Sequence, residues 1–191
     1  MSEAVSALPE AAASGFVRVE EAGLVGMITI RGNLTDKAFR KAVKAETGVE
    51  IPGQGQRTTI GDNALLWMSP DELMLTCPHE AAPGMVGKLT KALEDVHALV
   101  ENVSDARAVF HVTGEGGAIR DALGKLTPAD LRPATFPANI VRRTRLSQVP
   151  AAFWFEDDDR AIVVCFRSVA KYTFDLLANA ATSGAEVGYF R

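Results

Sequence analysis

The sequence predicts an α+β chain made of two related half-domains, each a small antiparallel sheet covered by helices. Three observations predict it. First, an apolar strand through Met27, Ile28, Thr29 and Ile30 ends at Arg31-Gly32, and another through Val109, Phe110, His111 and Val112 ends at Thr113-Gly114. Second, each strand is followed by a helical stretch and a tryptophan hairpin. Leu65-Leu66-Trp67-Met68 returns through Leu73-Met74-Leu75-Thr76 to Cys77, and Ala152-Phe153-Trp154-Phe155 returns through Ile162-Val163-Val164 to Cys165. Third, an amphipathic helix follows each hairpin. The unit is longer than solenoid periods and holds its own hairpin and helices, so it reads as fused halves rather than a stacking array. The boundaries expected are an N-terminal tail over 1–22, a first half over 23–98 and a second over 99–191, packed as one compact unit. Repetition assigns Trp67 and Trp154 to equivalent places, each packing its own sheet against its own helices, and makes Cys77 and Cys165 core thiols.

Composition narrows the function classes. With 191 residues and 47% hydrophobic content, the chain can bury a proper core. Twenty-four acidic residues against 20 basic, and a pI near 5.4, leave no cationic excess for non-specific nucleic-acid binding. The two cysteines have no CxxC neighbour and no His at ligand spacing, which predicts reduced thiols in a cytoplasmic protein and no metal centre. Met1 to Gly15 is rich in Ala, Ser, Pro and Glu, without a basic start or a sustained apolar run. That composition predicts neither signal peptide nor membrane anchor.

Along the first half, Thr35 is placed to cap a helix whose apolar positions are Ala38, Phe39, Ala42 and Val43, and Gly48 stops it. The glycines of Ile51-Pro52-Gly53-Gln54-Gly55-Gln56 lack the Lys-Ser/Thr of a phosphate loop, so a flexible connection is the better reading. Ser69-Pro70-Asp71-Glu72 has the signature of a type I turn. Asp71 and Glu72 are adjacent, point to opposite faces and cannot work as an acid/base pair. Met85, Leu89, Ala92 and Val96 predict an apolar stripe on a helix over Met85 to Val96.

Leu99 to Arg107 reads as strand, turn and strand between the halves, with Ser104 and Asp105 supplying the turn. A helix over Ala118 to Lys125 leads into Leu126 to Pro137, where Pro128, Pro133 and Pro137 forbid regular structure. Such a stiff segment is either a crossover pressed on the domain or a surface shaped for a partner.

Few residues offer chemistry. His79, His97 and His111 are scattered, and His111, alternating with Phe110 and Val112, reads as a half-buried structural residue. No serine sits in a nucleophile elbow. Asp157-Asp158-Asp159 at the second hairpin tip lacks the alternate spacing of a calcium loop and reads as a solvated turn. Ser168 is placed to cap the last helix, and Arg167 beside it is a candidate anion contact, weighed against a structural ion pair. Arg143 and Arg145 share one strand face with Arg142 on the other, a solvated strand or a partner surface. Phe136 is the candidate apolar anchor of that surface.

Val103-Ser104-Asp105-Ala106-Arg107, the pattern Pro128, Asp130, Leu131, Pro133, Phe136 and Pro137, and the runs Arg143 to Pro150 and Arg167 to Tyr172 resemble the gamma subunit of heterotetrameric sarcosine oxidase. The hairpin Leu66 to Leu75 is similar to the first-half motif of the same family. More distantly, the second half resembles the folate-binding domain of aminomethyltransferases, with Leu126-Thr127-Pro128-Ala129-Asp130 in place of a Leu-Thr-Asn-Asp run. The resemblance implies that fold and an accessory subunit of an oxidase that demethylates sarcosine to glycine, yielding peroxide and methylene-tetrahydrofolate. It implies alpha, beta and small delta subunits as partners. It places FAD, FMN, NAD, tetrahydrofolate and zinc on those subunits, with no catalytic group, cofactor or metal on this chain. Ser147-Gln148-Val149-Pro150-Ala151-Ala152 lacks the acidic pair that the aminomethyltransferases carry there. A free-standing folate-binding protein or aminomethyltransferase-like enzyme is the alternative.

Overall fold

The computed structural model describes residues 4–190. In chain order it contains β1 (Ala12–Ser14), β2 (Arg18–Glu21), β3 (Val25–Arg31), α1 (Lys37–Thr47), β4 (Arg57–Ile60), β5 (Asn63–Ser69), β6 (Glu72–Pro78), α2 (Ala82–Ala92) and β7 (Leu99–Asn102). There follow β8 (Arg107–Thr113), α3 (Gly116–Gly124), β9 (Val141–Leu146), β10 (Val149–Asp157), β11 (Arg160–Phe166) and α4 (Ala170–Ala180). The chain divides into two compact units, one over Leu24–Asp105 and the other from the described residues up to Gly23 together with those from Ala106 onward.

The Leu24–Asp105 unit is a five-stranded antiparallel sheet in the order β4-β5-β6-β3-β7. Alternation sends Ile28, Ile30, Leu65, Leu73 and Leu75 to one face, where they bury against Phe39 and Val43 of α1 and Ala82 and Leu89 of α2. The cap of α1 is Asp36, not Thr35: its Oδ1 accepts from the Phe39 N–H at 2.8 Å, while the Thr35 hydroxyl donates to Asn33. A carboxylate one residue closer reaches the orphan amide, and Thr35 is drawn into a local turn. Gly48 ends the helix at φ 74°, its N–H donating to the Lys44 carbonyl. Helix α2 begins three residues before Met85 because Pro83 fits the first turn, and it ends before Val96.

The other unit is a six-stranded antiparallel sheet in the order β1-β2-β8-β11-β10-β9. Phe110, Val112, Phe153, Phe155, Ala161, Val163 and Cys165 bury against Ile119 and Leu123 of α3 and Ala170 and Leu177 of α4. Residues expected as a tail supply two of its strands. Val17 and Val19 are buried, and Val19 pairs with Val112. Likewise Leu99–Asn102, assigned from sequence to the second half, pairs with β3 of the first unit's sheet. Strand β2 pairs with β8 and runs on into β3; β7 pairs with β3 and runs on into β8. A strand's partner is fixed by register and burial, not by its nearest neighbour in sequence, which is why composition alone misassigns both segments.

The repeat is exact enough to align by register. Both hairpins carry an irregularity just before the turn, between Trp67 and Ser69 and between Phe155 and Asp157. Counting from it, Cys77 and Cys165 are equivalent, and the helices α2 and α4 both run 11 residues. The two tryptophans are not equivalent. Trp67 joins the helix-side core of its unit, whereas Trp154 lies on the opposite sheet face beside Val141 and Ile162. That face is buried as well, with Trp154 at 3% and Ile162 at 4% exposure.

Candidate functional site

The proline-rich segment between α3 and β9 is fixed from inside. Arg120, 4% exposed on α3, donates from Nη1 to the carbonyls of Leu131 at 2.6 Å and Phe136 at 3.0 Å, and its guanidinium lies 4.2 Å from the Phe155 ring centre. Burial lowers its pKa and the Asp158 charge raises it. A chain that cannot make its own ladder thus has two inward carbonyls satisfied by a planar cation stacked on the core. Phe136 is fully buried, edge-on to Phe153 at 5.5 Å and Phe155 at 5.6 Å. It is a core residue and not an exposed anchor, because its ring completes an aromatic cluster under the segment. The outer residues Arg132 to Thr135 remain exposed.

The neighbouring Asp121, 3% exposed, accepts from the backbone N–H groups of Gly188 at 2.7 Å, Tyr189 at 3.0 Å and Phe190 at 3.3 Å. Two consecutive helix residues therefore hold two chain segments. Between those segments lies a groove of about 560 Å³ lined by Lys125, Leu131, Arg132, Val187, Tyr189 and Phe190, among others. Lys125 is occupied by the carbonyls of Ala180 and Ala185, and Arg132 by Asp130 at 2.6 Å. That pairing holds the Asp130 carboxyl well below the usual range.

On β9 the arginines are arranged as alternation dictates. Arg142 turns to the core side, 5.1 Å from the Phe136 ring, and donates to the Thr135 carbonyl at 2.9 Å. Arg143 and Arg145 point to the other face and are exposed.

At the candidate anion contact, Arg167 and Ser168, the guanidinium is turned to the chain's own backbone. Arg167 donates to the carbonyls of Val5 at 2.8 Å and Ser6 at 3.0 Å, tying down the N-terminal segment. Ser168 lies within a 3-10 turn, Arg167–Val169, so Val169 occupies the cap position of α4 and no side chain caps it. The extra turn carries the hydroxyl past the helix amides it would have to reach.

Several other polar groups hold turns and strands together. Asp71 accepts from Ser69 and from Arg31 across the first hairpin turn. Asp157 accepts from the Asp159 N–H at 2.9 Å at the second tip. Ser104 Oγ accepts from the Met27 N–H at 2.9 Å, which joins the segment after β7 to β3. Burial pushes the Cys77 and Cys165 thiols up and the His111 imidazole down. Among the described residues no cluster of three or more His, Cys, Asp and Glu could hold a metal ion, and no helix is long and apolar enough to cross a membrane. The charges that sequence reasoning missed are Arg120 and Asp121; their one signal is an ion-bearing dipeptide inside the otherwise apolar run Ala118 to Leu123.

These features define a duplicated α+β fold whose interior charges hold its own backbone and whose exposed chemistry is arginine on a sheet strand. The model of the sarcosine oxidase, gamma subunit family matches residues 31–183, and the chain belongs to that family. It is 30% identical over 150 residues to the sarcosine oxidase subunit gamma of Corynebacterium sp. (strain U-96), covering 76% of this chain and 71% of the relative. It is similar to a chain of the heterotetrameric sarcosine oxidase from Corynebacterium sp. U-96 in complex with pyrrole 2-carboxylate, with TM-score 0.79, 26% identity and coverage of 89% and 87%. The fold alone is shared with the glycine cleavage system aminomethyltransferase T from Bartonella henselae, with TM-score 0.56, 11% identity and coverage of 87% of this chain and 46% of that one.

Proposed function

We propose that the chain serves as the gamma subunit of a heterotetrameric sarcosine oxidase, in an assembly role without a catalytic group of its own. Its partners are the alpha, beta and small delta subunits of a cytoplasmic complex. That complex converts sarcosine to glycine with peroxide and methylene-tetrahydrofolate as products, and FAD, FMN, NAD, tetrahydrofolate and zinc reside on the other subunits. The observation that carries this reading is the exposed face of β9, on which Arg143 and Arg145 stand together. Exposed arginines suit pairing with carboxylates on another chain. The outer side of Arg132 to Thr135, whose Thr135 carbonyl accepts from Arg142 of the same strand, belongs to the same proposed contact.

The alternative, a free-standing folate carrier, finds less support. Ser147–Ala152 forms the β9–β10 turn and the start of β10, where Val149, Ala151 and Ala152 are buried and no carboxylate stands. The test is co-expression with the other subunits, comparing wild type with the Arg143→Glu, Arg145→Glu pair. Wild type should co-purify in stoichiometric amount and the reversed pair should be depleted at an unchanged melting temperature. Failure of wild type to co-purify, with tight stoichiometric binding of reduced folate by the chain alone, would favour the alternative.

A further inference from the structure

In the Leu24–Asp105 unit, α1 buries Phe39, Val43 and Thr47, and α2, packed beside it, buries Ala82 and Leu89. Helical periodicity then sends Lys37, Ala38, Lys41 and Ala45 of α1 to the side turned away from the sheet, where all four are exposed. On α2 the same side carries Gly84, Gly87, Lys88 and Lys91, also exposed.

This side is cationic in a chain whose net charge is -4. Helix α1 has Lys37, Arg40, Lys41 and Lys44 against Glu46, and α2 has Lys88 and Lys91 with no acidic residue. Arg40 donates to the Leu34 carbonyl and Lys44 pairs with Glu50, so both are engaged within the chain. Lys37, Lys41, Lys88 and Lys91 have no ion pair or side-chain hydrogen bond among the described residues.

These residues work against the chain's own stability. The first turn of α1 holds Lys37 and no acidic residue, although the helix is positive at that end. Lys41 follows one turn later, where like charges repel. Helix α4 shows the usual arrangement, with Lys171 paired to Asp175 one turn on. In α2, Gly84 and Gly87 give up the helix preference of alanine, yet nothing lies within 4 Å of the place where a Cβ would stand. No contact inside the chain requires glycine there. Local costs without a gain in the chain mark a surface shaped for something outside it.

Charge selects the occupant. The acidic remainder of the chain opposes a long polyanion such as nucleic acid, whereas a protein surface with a few carboxylates meets this side alone at short range. The glycines allow a partner's backbone to approach closely.

We propose that the outer side of α1 and α2 is a further docking surface, covered by an acidic surface of another oxidase subunit. Carboxylates of that subunit meet Lys37, Lys41, Lys88 and Lys91, and its backbone passes over Gly84 and Gly87. This rests on the reading of the chain as a gamma subunit.

The test uses the full chain and its co-expressed complex. Lys37→Glu combined with Lys41→Glu should leave the melting temperature of the chain unchanged or raise it, and should weaken association by about tenfold. Gly87→Ala should raise the melting temperature and weaken association severalfold, because the added methyl group fits the chain and meets the partner. In the wild-type complex, amine acetylation of Lys37, Lys41, Lys88 and Lys91 should be severalfold slower than in the chain alone. Undiminished acetylation in an intact complex, or normal association of the charge-reversed pair, overturns the docking surface while the gamma-subunit role stands. A charge-reversed chain that melts well below wild type assigns the lysines to the chain's own fold and overturns it as well. A wild-type chain that forms no complex with the other subunits overturns both readings.

Discussion

Trp67 and Phe155 occupy equivalent places in the two halves. Each is the last residue in regular register before its hairpin's irregularity, Trp67 opposite Leu73 and Phe155 opposite Ala161. Trp154 stands one residue earlier, at the place of Leu66 in the first half, and the period of a strand sends it to the other face.

The tryptophans should therefore respond differently to truncation. Trp154 is 3% exposed, and Trp154→Ala should cost about 3 to 5 kcal/mol through cavity formation. Trp67 is only partly buried, so Trp67→Ala should cost less. The Trp154 indole N–H has no hydrogen-bond partner among the described residues, and Trp154→Phe should be milder than Trp154→Ala. Urea unfolding of the three variants checks the order, and equal losses for the two alanine variants would contradict the assignment of faces.

Arg120 should be among the most sensitive charges in the chain. Arg120→Ala removes the donor to two inward carbonyls and the partner of the Phe155 ring, at a cost of about 3 to 5 kcal/mol. Arg120→Met keeps much of the volume and should recover part of that. A thermal melt of Arg120→Ala unchanged from wild type would show that the proline-rich segment holds itself.

Asp121 should control the C-terminal segment more than the fold. Asp121→Ala leaves three backbone N–H groups without their acceptor, worth about 1.5 to 3 kcal/mol of local stability. Amide exchange at Gly188, Tyr189 and Phe190 should speed up by about ten- to a hundredfold, with global melting moved much less. Unchanged exchange at those three amides would place their restraint elsewhere.

His111 gives the fold an acid-side dependence. Burial, helped by the Arg160 charge and opposed by Glu156 and Glu20, holds its pKa below the ordinary 6.5. The unfolded chain then takes up the proton at higher pH than the folded chain. The corresponding stability is intact above about pH 6.5, declines as pH falls below it and levels off once the folded imidazole is also protonated. His111→Gln should flatten that part of the melting curve against pH, and an identical slope in the variant would assign the acid sensitivity to other groups.

The features legible in the sequence are those whose physics is local. Alternation marked the inward faces of Met27–Ile30 and Phe153–Phe155, Gly48 marked a helix end, and Ser69 to Glu72 marked a turn. The candidate surface was legible in part, since Arg143 and Arg145 share an exposed face as their spacing requires. Neither the burial of Phe136 nor the backbone partners of Arg167 is legible in the sequence, because an exposed role and a buried or backbone-bound one have the same sequence signature. Only the packing of Phe136 against Phe153 and Phe155, and the approach of Val5 and Ser6 to Arg167, separates the two.

By itself the sequence determined the duplication, the α+β class and the strand faces, because side-chain periodicity is set by backbone geometry within a few residues. The tertiary structure alone decided the strand partners of β2 and β7, the one-residue offset of the tryptophans, and the burial of Arg120 and Asp121 among backbone groups far along the chain. Those choices depend on register and on which polar groups must be satisfied once water is excluded, and both are properties of contacts between distant segments.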